Sequence, residues 1–231
     1  MSCPLCRERK EKRFCPAVHE KICAQCCGEQ REVTLDCPSD CTYLLQSRAQ
    51  SRQPAQQHDT AGAYGGFDRA ALFPEVEIAE QFLYEREHLI VGLSYALAKS
   101  ARAGRSLDGH ALNDRDLIAA LTSLAKSYQT LVQSSLIYEQ PTANLTHQQI
   151  AREVATMVKE FREAEEKHLG YSRLRDSEVL QALVFLLRMG VARTSGRPKS
   201  RAYVDFLFSQ FPESQSAIAA PESPGSGLII P

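Results

Sequence analysis

The chain has 231 residues, of which 43% are hydrophobic, and a chain of this size can bury a substantial core. Its 27 Lys and Arg residues balance 28 Asp and Glu residues, so net charge indicates no particular class of partner. The absence of any run of about 18 apolar residues predicts that no segment spans a membrane. The first fifteen residues, MSCPLCRERKEKRFC, contain no apolar leader, so we expect a cytoplasmic protein.

All the cysteines of the chain lie within its first 41 residues, and two of them are adjacent. They are Cys3, Cys6, Cys15, Cys23, Cys26, Cys27, Cys37 and Cys41. In a reducing compartment, cysteines clustered in this way are more often metal ligands than disulfide partners. A segment as short as 1–45 cannot fold on apolar burial alone. We therefore predict a zinc-binding module whose folding depends on the metal.

The spacing predicts two structural zinc ions per chain, each in a closed site of four ligands. The first site combines the two Cys-x2-Cys pairs, Cys3 with Cys6 and Cys23 with Cys26. The second site takes Cys15, Cys37, Cys41 and one further ligand, which is either Cys27 or His19. Adjacent residues of an extended chain point to opposite sides, and thiolate is the softer ligand, so Cys27 is favoured. Oxidation of the Cys26–Cys27 pair, with release of zinc, is a weaker alternative.

With His19 in place of Cys27, the ligand order resembles the RING family of cross-braced zinc domains. Leu5 and Pro38 lie where that family has partner-binding loops. The resemblance implies a related zinc-binding topology and, as a weak alternative function, a ubiquitin ligase. The last cysteine pair is separated by three residues rather than two, and the chain has no Trp, which are departures from the family pattern.

A second resemblance covers more of the chain. The stretches ICAQCCGEQREVTLDCPSDCTYL and LVFLLRMGVARTSGRPKSRAYVDFL resemble a group of uncharacterised bacterial proteins with a Cys-rich start and a helical remainder. The resemblance implies the same domain layout and a bacterial cytosolic setting.

The remainder of the chain divides by composition into a linker, a helical domain and a tail. Residues 46–74 are rich in Gln, Ala, Gly and Ser and predict a flexible linker, in which Phe67, Leu72 and Phe73 are candidates for docking. Residues 75–211 show helical periodicity without strand-type alternation, which predicts an all-α bundle. Residues 212–231 are predicted to be disordered. The expected fold is therefore mainly α, with a small two-zinc module of little regular structure.

Five helices are expected in the bundle, from their apolar spacing and terminal signals. The fourth is apolar nearly all round, which predicts the most buried position, within one chain or in a dimer. The oligomeric state is therefore open. The predicted bounds are about 75–100, about 114–139, a start at Thr146 in the sequence THQQ, 177–190 with Gly190 at its end, and 201–211.

The function predicted from these features is that of a non-enzymatic adaptor or regulator with a protein partner. No phosphate-binding glycine loop, nucleophile elbow or Cys/His pair outside the zinc module is present. The alternative is a nucleic-acid-binding regulator that uses the basic stretches 7–13 and 193–201. The second stretch offers four candidate phosphate contacts, Arg193, Arg197, Lys199 and Arg201. Neither stretch has interleaved aromatic residues for base stacking.

Overall fold

The computed structural model describes residues 1–51, 72–104, 109, 111–134 and 144–212. These residues form mainly helices, as the sequence predicts, with one short hairpin. None of the helices in these ranges is long and apolar enough to cross a membrane. In chain order the elements are β1 Arg13–Cys15, β2 Glu20–Ile22, α1 Ala24–Gln30, α2 Thr42–Ser51, α3 Glu80–Glu85, α4 Glu87–Ala103, α5 Asp114–Ser134, α6 Leu145–Leu169, α7 Asp176–Arg193 and α8 Ala202–Gln210.

The N-terminal module consists of the β1–β2 hairpin followed by α1. The two strands are antiparallel, with Phe14 opposite Lys21 and Cys15 opposite Glu20. Cys15 and Ile22 point inward and are buried with Leu35 and the cysteines of α1. Sulfur atoms therefore make up much of this small core, as expected of a module with few apolar side chains.

The linker predicted over 46–74 differs from the structure at both ends. Residues up to Ser51 belong to α2, because Leu44 is buried and Arg48 makes ion pairs with side chains elsewhere in the fold. At the other end, Leu72 and Phe73 are buried in the helical core, and Arg188 donates hydrogen bonds to both of their carbonyl groups. Phe67 and the rest of 52–71 lie outside the described residues.

The helical bundle has α7 at its centre, in contact with α4, α5 and α8, while α6 packs against α4 and α5. The sequence of α7 is apolar nearly all round because neighbouring helices cover most of its surface. Its buried side chains include Val179, Leu183, Leu186 and Leu187.

The first predicted helix is two helices, α3 and α4, separated at Arg86. The guanidinium group of Arg86 donates hydrogen bonds to the Glu178 carboxylate at 3.0 and 3.1 Å, and it also contacts Glu165 at 3.4 Å. Apolar periodicity carries no information about such a charged anchor, which explains why the sequence predicts a continuous helix.

Two other helix boundaries differ from those predicted. Helix α6 begins at Leu145, and its cap is Asn144, whose side-chain oxygen accepts from the amide groups of Thr146 and His147. The predicted end of α7 at Gly190 is wrong, because α7 continues to Arg193. Gly190 instead makes room for Tyr203, since a Cβ atom there would lie 2.9 Å from the Tyr203 ring. The end of α5 predicted at about residue 139 falls within 135–143, which lie outside the described part of the chain.

Gly190→Ala should lower the free energy of unfolding by about 1 kcal/mol, because overpacking against a buried ring exceeds the helix-propensity gain. Gly92→Ala in α4 is the matched control, since its Cβ would lie 3.3 Å from the flexible Met157 side chain. We expect Gly92→Ala to be neutral or stabilising in urea unfolding. Equal effects of the two substitutions would contradict the role assigned to Gly190.

Candidate metal centre

The cysteines predicted for the first zinc site lie together in the structure. The Sγ atoms of Cys3, Cys6, Cys23 and Cys26 are all within 4.8 Å of one another, and those of Cys6 and Cys23 are 4.0 Å apart. A tetrahedral zinc with Zn–S bonds of about 2.3 Å would place its sulfur ligands about 3.8 Å apart. This group of four thiols, of which all but the half-buried Cys6 are buried, can therefore hold a metal ion with little rearrangement.

Each Cys-x2-Cys pair is positioned by a different local structure. The first pair lies in a turn in which the Arg7 amide donates to the Cys3 carbonyl at 2.7 Å, and Arg7 itself has a positive φ of 58°. The second pair lies at the start of α1. Here the Cys26 amide donates to the Cys23 sulfur at 3.3 Å, so Cys23 also serves as the N-cap of the helix.

Arg9 contacts the same cluster from outside. Its Nε atom lies 3.4 Å from the Cys23 sulfur, and one terminal nitrogen lies 3.7 Å from the Cys26 sulfur. Four thiolates with one divalent cation carry a charge of −2, which the guanidinium group partly offsets. Arg9 therefore occupies the position of a supporting residue that orients two ligands and neutralises charge.

The surroundings of Cys23 and Cys26 shift the pKa values of these two thiols in opposite directions. Hydrogen bonds from the Cys26 amide and Arg9, acting against burial, lower the pKa of Cys23 to about 6. At Cys26 the Arg9 hydrogen bond acts to lower the pKa, but burial and the neighbouring sulfurs raise it to about 12. Crowded sulfurs cannot all become thiolates together unless a cation replaces their protons, which is what metal binding achieves.

The cysteines predicted for the second site are neighbours but are less tightly gathered. Cys15 and Cys27 are buried, whereas Cys37 and Cys41 are half-buried. Burial raises the pKa of Cys37, and the nearby thiols of Cys41 and Cys15 act in the same direction. Within the described ranges, only the first cluster brings three or more candidate ligand atoms within 4.8 Å.

The adjacent Cys26 and Cys27 lie in a helix and not in the extended chain on which their assignment to opposite sides is based. Cys26 and Cys27 both lie in helix α1, so their side chains are separated by about 100° around the helix axis rather than by about 180°. Both side chains are buried, and Arg31 donates to the Cys27 sulfur at 3.6 Å. His19, the alternative ligand, is exposed in the hairpin turn, with a φ of 56°.

The basic loop that was a candidate for nucleic-acid binding contacts the cysteine module instead of projecting freely. Arg197 donates to the carbonyl oxygens of Gly28 and Arg31 at 2.9 and 2.6 Å, at the C-terminal end of α1. Lys199 lies 3.0 Å from both the Thr34 carbonyl and the Asp36 carboxylate. The C-terminal carbonyl groups of a helix attract cations, which accounts for this docking.

The other two basic candidates differ in their contacts. The Arg193 guanidinium group stacks on the Phe206 ring at 3.5 Å from its centroid. Arg201 is the N-cap residue of α8, but its side chain makes no capping hydrogen bond, and its buried Nε atom has no hydrogen-bond partner. Three of the four basic candidates, Arg193, Arg197 and Lys199, therefore make contacts within the molecule.

Glu32 links the module to the bundle, although no sequence pattern marked it. Its side chain is buried and accepts hydrogen bonds from Arg48 and Ser195, each at 2.9 Å, while its carbonyl accepts from the Lys199 amide at 2.8 Å. Arg48 also pairs with Asp205 of α8 at 2.7 Å. These contacts differ from the expected picture of a module free to move on a linker. In the sequence, both Glu32 and Arg48 resemble ordinary surface charges.

No protein-family model, curated protein or solved structure matches this chain. Functional inference therefore depends on the geometry of the cysteine module and its contacts.

Arg9→Gln should accelerate zinc release to a chromogenic chelator by about tenfold, because residues that support metal ligands typically contribute this much to metal affinity. Lys10→Gln is the matched control, since Lys10 is an exposed cation in the same segment. Equal release rates in the two variants would contradict the role assigned to Arg9.

Glu32→Ala should lower the free energy of unfolding by about 3 kcal/mol, because it leaves the half-buried Arg48 short of a partner and removes the acceptor of Ser195. Glu29→Ala, at an exposed position of α1, is the control and should change stability by less than about 0.5 kcal/mol. Denaturant unfolding of the zinc-loaded proteins measures both. A small effect of Glu32→Ala would show that the contacts between module and bundle contribute little to the free energy of unfolding.

Proposed function

We propose that this chain is a non-enzymatic zinc-binding adaptor or regulator. In this proposal, bound zinc fixes the Cys-rich module against the helical bundle, and the two together present a surface to a protein partner. The observation that carries the proposal is the largely buried group of four sulfurs. Two of them lie at the start of α1, and the far end of this helix is held by Arg197.

Zinc is the metal that fits the first site best. Four thiolates in a near-tetrahedral arrangement are typical of structural Zn²⁺ sites, which use every ligand position. A closed ligand set leaves no position for a reactive water molecule, so the ion contributes folding free energy and not catalysis. Reduced thiols also suit the reducing cytoplasm proposed for this protein.

The proposed second zinc takes Cys15, Cys27, Cys37 and Cys41. Two of these are already buried in the core of the module, and Cys37 has Cys15 and Cys41 as electrostatic neighbours. Metal binding would draw the four sulfurs closer together. Cys27 is the better candidate for the fourth ligand because it is buried, whereas His19 faces solvent.

Both proposed sites draw ligands from α1, and this connects metal binding to the surface of the bundle. Arg197 caps the carbonyl end of α1, and Lys199 contacts the segment that leads to Cys37. Loss of metal would release α1 and with it the loop at 194–200. An adaptor surface that includes this loop would therefore form only in the metal-bound protein.

Elemental analysis of the purified protein should give two zinc ions per chain. Cys27→Ser should reduce the content to one, whereas His19→Ala should leave it at two. Cys26→Ser should remove the zinc of the first site. A wild-type content of one zinc or none would overturn the two-site proposal, and loss of zinc in His19→Ala alone would reassign the fourth ligand.

The adaptor role is tested by purifying the zinc-loaded chain from its native host, with and without nuclease treatment. We expect a specific protein partner that survives nuclease and is absent from a parallel purification of Cys26→Ser. Glu32→Ala is the informative second variant, since it retains all the cysteines but removes a link between module and bundle. A partner retained by both variants would contradict a metal-dependent surface.

A further inference from the structure

The outer face of the β1–β2 hairpin carries an unusual combination of side chains. Phe14 is the only Phe within residues 1–45, a segment with few apolar side chains. Even so, 55% of its surface is exposed. Side chains alternate along a strand, so the inward positions of the hairpin go to Cys15 and Ile22, and Phe14 points to solvent.

Lysine side chains flank this aromatic ring. Lys21 is the residue directly opposite Phe14 in the antiparallel pair, so both side chains project from the same face, about 5 Å apart at Cβ. Lys12 lies two residues before Phe14, which places it on that face by the same alternation. Both lysines are exposed.

The surrounding charges favour an anionic ligand. Arg7 and Lys10, in the turn that leads into β1, are exposed as well, which makes four exposed cations with the two flanking lysines. The exposed acidic residues in the same segments are Glu8 and Glu20, while Glu11 pairs with the amino terminus at 3.9 Å. In the hairpin and the turn that leads into it, the four exposed cations thus outnumber the two exposed carboxylates.

We propose that this face of the hairpin binds single-stranded nucleic acid, with one base stacked on Phe14 and the adjacent phosphates contacted by Lys12 and Lys21. An aromatic ring offers a stacking surface to any base, and lysines supply the salt-dependent attraction to the backbone. Bases in a duplex are already stacked on one another and cannot cover the ring, so the proposed ligand is single-stranded.

The sequence had suggested two basic stretches for nucleic acid, 7–13 and 193–201. This surface takes Arg7, Lys10 and Lys12 from the first stretch and uses no residue of the second. Arg197 and Lys199 are held by carbonyl and carboxylate groups of the module, whereas Lys12 and Lys21 flank an exposed ring. The proposal rests on the proposed function in one respect, namely that bound metal stabilises the hairpin. It names a nucleic-acid partner in addition to the protein partner of the adaptor.

Fluorescence anisotropy of the full-length, zinc-loaded protein with a labelled 12-nucleotide single strand of mixed sequence tests this proposal. We expect binding that weakens steeply between about 50 and 200 mM salt, with a duplex of the same sequence bound more weakly. Phe14→Ala and Phe14→Leu should both weaken binding at least about fivefold, because neither has a π face, and Phe14→Trp should retain it. RNA and DNA strands are compared to identify which is preferred.

The double variant Lys12→Ala, Lys21→Ala should reduce the slope of log affinity against log salt by about 0.7 for each phosphate that is no longer neutralised. Tyr84→Ala is the matched control, since Tyr84 is an 83% exposed aromatic residue on α3, outside the cysteine module. Zinc content is measured for every variant, so that failure of the metal sites is distinguished from failure of stacking.

Three results would each overturn the proposal. They are the absence of wild-type binding at about 50 mM salt, equal affinity for single strand and duplex, and retention of full affinity by Phe14→Ala with zinc still bound. Retention of full affinity by Phe14→Leu would likewise contradict stacking of a base on the ring.

Discussion

The contacts of the Glu32 carboxylate are the constraint on which the arrangement of the cysteine module against the helical bundle depends. Glu32 lies between Cys27 and Cys37, in a left-handed backbone conformation with φ of 53°, and it is only 3% exposed. A buried carboxylate without partners is strongly unfavourable, so α2 and the loop before α8 must both be in place to satisfy it. Arg48 and Ser195 meet this requirement from two separate segments of the chain.

A second buried carboxylate holds the same loop from the side of the bundle. Asp114, at the start of α5, accepts hydrogen bonds from the Ser200 hydroxyl group and from the amides of Tyr203 and Val204 at the start of α8. Burial raises the pKa of Asp114, against the effect of these hydrogen bonds. The loop is therefore fixed between one carboxylate of the module and one of the bundle. This arrangement gives a physical route by which metal binding at α1 can affect the position of α8.

The small size of the module explains how an aromatic side chain comes to be left outside. Folding a segment of about 45 residues on apolar burial would require Phe14 in the core. Zinc ions at clustered thiolates can contribute roughly 10 kcal/mol or more each, which removes this requirement. Cys15 and Ile22 occupy the inner face of the hairpin, and Phe14 is exposed to solvent beside Lys21. Metal ions bound at these thiols would therefore allow the module to fold with Phe14 exposed on its outer face.

The sequence by itself determined the mainly helical fold, the central position of α7 and the grouping of Cys3, Cys6, Cys23 and Cys26, because apolar periodicity and short ligand spacing are local properties. Tertiary structure decided that the basic loop binds the module, since the helix-end carbonyls that attract Arg197 belong to a segment 169 residues away along the chain. It also decided that the start of the predicted linker is helical and that α3 and α4 are separate. Those features depend on long-range charge pairs, which the spacing of residues along the chain does not record.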